Sequence, residues 1–95
     1  MAIVIPEDFK EYQRIEHNHE DVLIGQLLDQ AQRAAENHCR TEFDDTAEEP
    51  VKLAIMLHAG YMYERRSEPE EKSYKAMMRA FGDLLSSYVD PAKEF

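Results

Sequence analysis

The chain has one cysteine, three glycines, four prolines and only 11 basic residues against 20 acidic ones, and each shortage removes a class of explanation. The single thiol, Cys39, has no internal partner, so the fold is expected not to depend on disulfides or an oxidising compartment. Gly25, Gly60 and Gly82 stand apart from one another, which leaves no glycine-rich loop to cradle a phosphate and no nucleophile elbow, and there is no Cys-x-x-Cys pair. No apolar run approaches the roughly 20 residues that span a bilayer. The opening Met1 to Pro6 stretch lacks a basic flank and is too short for a signal-peptide core, so neither membrane insertion nor export is expected. A formal net charge of -9 and a pI near 4.8 argue against a dedicated nucleic-acid binder, which gains affinity by neutralising phosphates with Lys and Arg. Finally, no alternating apolar-polar segment is longer than Ile3 to Ile5, so the sequence offers no strand pattern.

What is present is helical periodicity. Pro6-Glu7-Asp8 starts a short helix, because proline suits a first helical turn and acidic residues favour the positive end of the helix dipole. This helix is expected to end before His17. Asn18 reads as the N-cap of a longer second helix, with Glu20 and Asp21 in its opening turn. Ile24, Leu27, Leu28, Ala31, Ala34, Ala35 and His38 then recur at three- and four-residue steps, against a polar face of Gln26, Asp29, Gln30, Arg33, Glu36 and Asn37. Thr41 to Glu49 is acidic and aperiodic, a solvated connection.

Pro50 opens a third helix, roughly Val51 to Arg66, with two apolar stripes: Val51, Ala54, Ile55, Tyr61 and Met62 on one, Leu53, Met56, Leu57 and Gly60 on the other. A helix apolar on most of its circumference is expected to be the central, most buried element. Beyond Pro69, Tyr74, Met77, Met78, Phe81, Leu84, Leu85 and Tyr88 share one face and predict a helix to about Val89. A loop from Ser67 to Arg79 followed by a short helix is the competing reading, since Gly82 costs about 1 kcal/mol in a helix interior. The expected fold is all-α: one domain over residues 1–95, a bundle of three main helices plus a short N-terminal one, with residues 1–5 and 90–95 as flexible ends. A domain of this size buries only about 60–65% of its unfolded surface, so association would add to a thin margin.

Candidate chemistry is sparse. His17-x-His19 with Glu20 and Asp21 is the densest group of metal-ligand types, but a site needs three or four converging ligands and only a local pair is visible. His38 and Cys39 are adjacent, so on a helix they point about 100° apart and do not form a nucleophile-base pair. His58, mid-helix, reads as a hydrogen-bonded core or interface residue. Glu42, Asp44, Asp45, Glu48 and Glu49 lack the glycine and terminal glutamate of a calcium loop. No catalytic residue, metal site or cofactor site is assigned, and the chain is read as no enzyme.

Two features suit contact better than catalysis. Tyr61, Tyr63, Arg65 and Arg66 close the third helix; arginines there complement the dipole, but Tyr and Arg are also enriched at interface hot spots, and residue type leaves both readings open. Met77 and Met78, beside a charged stretch containing Glu68, Glu70, Glu71, Lys72, Lys75 and Arg79, serve equally as core filling or as adaptable surface for a neighbour.

Three segments in order, Arg14-Ile15-Glu16-His17-Asn18-His19-Glu20-Asp21, Pro50-Val51-Lys52-Leu53-Ala54-Ile55 closing on Tyr63-Glu64-x-Arg66, and Ala80-Phe81-x-x-Leu84-Leu85-x-x-Tyr88, resemble the head-tail connector (adaptor) family of tailed bacteriophages. Two positions depart from its pattern: Met78-Arg79 where the family usually has a proline before the last helix, and Val89 where an arginine follows the aromatic residue. The first bears on whether residues 70–80 form an inter-subunit loop or a helical extension. The resemblance implies a structural virion protein, made in the cytoplasm of the bacterial host and located at the head-tail junction. It implies a homo-oligomeric ring under the portal protein that docks a downstream connector or tail-completion protein, with DNA passing through without specific binding. The interface residues expected on that reading are Tyr61, Tyr63, Arg65, Arg66, Glu68, Glu70, Glu71, Lys72, Lys75, Met77, Met78 and Arg79. A rival from another class also fits the charge and size: a small acidic helical protein that binds and inhibits a basic DNA-binding protein or nuclease.

Overall fold

A computed structural model describes residues 3–16, 19–44, 46–64 and 71–89. Helix α1 (Pro6–Gln13) leads into α2 (Asp21–Cys39), α3 (Glu49–Glu64) and α4 (Glu71–Leu85), and a 3-10 turn (Ser86–Tyr88) closes the bundle. The chain is all-α, as its periodicity requires, with no strand among the described residues. Helix α3 is the hub, packed by α2 on one flank and α4 on another, with α1 laid across both α2 and α3.

The core follows the apolar stripes. Ile24, Leu28, Ala31, Ala35 and Cys39 of α2 meet Val51, Ala54, Ile55 and Ala59 of α3, and Met77, Phe81 and Leu85 of α4 close over them. Phe9 is the buried anchor of α1. Where α1 crosses α3, Gly60 permits the close approach: a Cβ there would meet the Gln13 amide at 2.9 Å. Both α1 and α2 end at arginines in left-handed backbone, Arg14 (φ 59) and Arg40 (φ 57), whose N–H groups return to carbonyls of the last turn.

Several expectations change. Residues 1–5 were expected to be free, yet Val4 is only 2% exposed and the Ile3 N–H donates to Gln32 Oε1 at 2.6 Å, so the chain is tied down from residue 3. Asn18, the expected N-cap, lies outside the described residues; α2 begins at Asp21 with Glu20 in the cap position. The loop reading of Ser67 to Arg79 gives way over 71–79, which is helical, because Met77, Phe81 and Leu85 can reach the core together only at helical spacing. His38 leaves the apolar face and is exposed, its ring edge-on to Phe81. The second stripe of α3 is only partly buried: Gly60 is buried under α1, Met56 and Leu57 are half-buried against the core, and Leu53 is 40% exposed. The reason is shape. At 42 × 32 × 18 Å the molecule is less than two helix diameters thick, and beyond the α1 crossing at Gly60 no described element fully covers the outer side of α3.

Candidate interaction surface

Tyr61 and Tyr63, grouped in sequence at the end of α3, serve different neighbours, since residues two apart on a helix do not face the same way. Tyr63 turns toward α1. Its ring meets Phe9 edge-on, with centroids 6.1 Å apart, and its hydroxyl donates to Glu20 Oε1 at 2.7 Å. It therefore clamps the end of α3 to the start of α2. Beside it Lys10 Nζ pairs with Asp21 Oδ1 at 2.8 Å and ties α1 to the same point. Replacing Tyr63 with Phe keeps the ring contact and removes one partly buried, charge-assisted hydrogen bond, so chemical denaturation should show a loss of about 1 kcal/mol with unchanged m-value. An unchanged midpoint would show that the hydroxyl contributes nothing.

Tyr61 turns outward and rests on Tyr74 of α4, ring centroids 5.9 Å apart. Together with Leu53, Met56 and Leu57 it forms an apolar strip along the open side of α3. The strip is flanked by Tyr12 of α1, 42% exposed, and by Tyr74, 37% exposed. Two depressions run along it. One, of about 350 Å³, lies between α1 and α3 over Val4, Tyr12 and Met56, rimmed by Asp8, Glu11 and Glu49 with Lys52. The other, of about 200 Å³, is lined by Tyr12, Gln13, Leu57, Tyr61, Glu64 and Met77, next to α4. Contiguous exposed apolar surface rimmed by charge is the mark of a contact site rather than of a finished monomer surface.

The remaining expected interface residues sort by burial. Met77 belongs to the core and lines the floor of the second depression; Met78 is half-buried against the same core. Glu71, Lys72, Lys75 and Arg79 are exposed on α4. Arg65, Arg66, Glu68 and Glu70 lie outside the described residues. Sequence reading missed Tyr12 and Tyr74 as surface partners of Tyr61. It also passed over Gln32, a buried polar residue that accepts from Ile3 N–H and donates to Glu36 Oε2 (3.3 Å) and the Phe43 carbonyl (3.5 Å). Gln32 thereby joins the N-terminal segment, α2 and the connection to α3.

The chemical candidates are poorly placed for reaction. The Cys39 thiol is fully buried and lies against the Leu85 carbonyl at 3.7 Å, and burial pushes its pKa up, which disfavours the thiolate a nucleophile needs. His58 is buried among apolar groups with Nδ1 lacking a partner, and burial lowers its pKa. Among the described residues no group of three or more His, Cys, Asp or Glu side chains converges as for a metal ion; His17 lies outside them. Asp44 is spent on the connection, accepting from the Thr46 amide and hydroxyl, and these hydrogen bonds lower its pKa. No described helix is long and apolar enough to cross a membrane.

Against known proteins, a family model described as phage gp6-like head-tail connector protein matches residues 7–88, which spans α1 through the closing 3-10 turn. No curated protein and no solved structure matches.

Proposed function

The chain belongs to the phage gp6-like head-tail connector family, and from that membership we propose that it works as a homo-oligomeric ring beneath the portal, joining the DNA-filled capsid to the tail. As a member of this family it is a bacteriophage structural protein. The observation that carries the ring reading is the apolar strip of exposed Leu53, Tyr12 and Tyr74 with half-buried Met56, Leu57 and Tyr61, on a domain too small to leave such surface idle. Contact repeated head to tail closes into a ring when the rotation allows it. The residues proposed for subunit and partner contact are Tyr61, Tyr74, Met78 and the exposed α4 side chains, together with Arg65, Arg66, Glu68 and Glu70, which lie outside the described residues. One edge of the ring would meet the portal and the other a downstream connector or tail-completion protein. DNA would pass through an acidic ring that repels it and so leaves it mobile, in keeping with the net charge of -9.

The test is solution mass by light scattering across a concentration series, with negative-stain imaging of the most concentrated sample, for the chain alone and mixed with the portal protein of its phage. Closed rings are the expected result. A monomer in every sample, portal included, would remove the ring reading.

A further inference from the structure

The described surface carries two patches of opposite sign on different elements. The first is the α1–α3 groove, with Asp8, Glu11 and Glu49 around an apolar floor and Lys52 as the one cation among its described lining residues. The second is the outer face of α4. Lys72, Lys75 and Arg79 fall within about 60° of arc at 100° per residue, on the side away from the buried Met77, Phe81 and Leu85; the exposed acids Glu71 and Asp83 bracket them on the same side, so the face is net positive through its central cluster. Ala76, small and exposed, sits among them. The ion pair on this face, Lys75 to Glu71 at 3.2 Å, has both side chains more than 70% exposed, so it contributes little and exchanges readily for another partner.

We infer that these patches are the two halves of one subunit contact: the outer face of α4 in one copy lies on the α1–α3 groove of the next, with Lys72, Lys75 and Arg79 meeting Asp8, Glu11 and Glu49. The inference rests on the ring reading and adds the surfaces and their polarity. Two copies of a chain with net charge -9 repel at long range, so self-association needs a place where the sign is locally reversed. The Lys72, Lys75 and Arg79 cluster supplies it, in the middle of a face that Glu71 and Asp83 bracket. Pairing either patch with its own copy would set like charges together, whereas pairing one with the other sets opposite charges together; the contact is therefore heterologous, the type that generates rings. Ala76 lets the α4 backbone come close enough for its long cationic neighbours to reach the groove rim while covering Tyr12 and Met56.

The experiment is a charge swap read by light scattering. One variant carries Asp8→Lys and Glu11→Lys, making both of its patches basic; the other carries Lys75→Glu and Arg79→Glu, making both acidic. Each alone should need at least a tenfold higher concentration to assemble than the wild type, with unchanged helicity by circular dichroism. An equimolar mixture should recover assembly, because basic and acidic copies can alternate. That recovery also excludes misfolding as the cause of either single loss. If the wild type assembles and either variant does so equally well, or if both fail and the mixture stays dissociated, the assignment of surfaces is overturned while the ring reading stands. If the wild type and the mixture remain monomeric with and without portal protein, the ring reading falls and takes this assignment with it.

Discussion

Truncating Phe81 to Ala should remove about 3–5 kcal/mol of stability, the usual cost of deleting a fully buried aromatic ring. Phe81 is 1% exposed and is where α4 meets the rest of the molecule, its ring 5.1 Å from that of His58 in α3 and 6.2 Å from that of His38 in α2. A chain of this length has roughly 5–14 kcal/mol in total at 0.05–0.15 kcal/mol per residue, and its large surface-to-volume ratio favours the low end. The substitution should therefore lower the melting temperature by at least about 12 °C, taking 4 °C per kcal/mol. Val22→Ala is the control: at 77% exposure it should change stability by less than about 0.5 kcal/mol. The comparison is made at matched protein concentration, since ring formation itself would add stability by mass action. A Phe81→Ala loss below 1 kcal/mol would mean that α4 is not packed on α3 as described.

Phe81 also shows what the sequence could and could not disclose. Its face of α4, with Met77, Leu84 and Leu85 at helical spacing, was legible because periodicity depends only on local geometry. That pattern prevailed over the glycine at position 82 because the packing of Phe81 and Leu85 exceeds the roughly 1 kcal/mol that a helical glycine costs. The α2 stripe up to Ala35, and Val51, Ala54 and Ile55 of the first α3 stripe, were legible for the same reason. The second stripe of α3 is only partly buried, because apolar spacing reports which residues share a face, not how far another element covers it. Tyr61 and Tyr63 were read as one cluster because they are close in sequence, but their directions are set by α4 on one side and α1 on the other. Gln32 was invisible for a different reason. Its value lies in hydrogen bonds to Ile3 and Phe43, 29 and 11 residues away, which no local pattern encodes. The candidate contact surface was thus half legible: its residue types and the basic run on α4 could be read, whereas the α1–α3 groove that complements them is a product of the fold.

The other large effect expected is pH-dependent and comes from His58. Its ring is buried, Nδ1 has no hydrogen-bond partner, and burial holds its pKa below the ordinary 6.5. In the unfolded chain the imidazole takes a proton near the ordinary value; in the folded chain it resists until the pH is lower. Between those two points the unfolded state binds more protons, so stability present above pH 6.5 is lost as the pH falls toward the folded pKa, and the loss levels off below it. The steepest possible slope from one such group is about 1.4 kcal/mol per pH unit. His58→Leu removes both the titration and the unpaired nitrogen. Leaving a buried polar group unsatisfied costs about 1–3 kcal/mol, so the leucine variant should be at least as stable at pH 7.5 even after losing the ring contact with Phe81. Its advantage over the wild type should widen as the pH falls from 7.5 to 5.5, never faster than that limiting slope, measured by denaturant unfolding at each pH. All other ionisable groups are common to the two chains and cancel in that difference. Parallel pH profiles for the two proteins would show that His58 either protonates in the folded state as it does in the unfolded one or finds a partner for its second nitrogen, and would place a polar path through the α3–α4 contact where an apolar one is described.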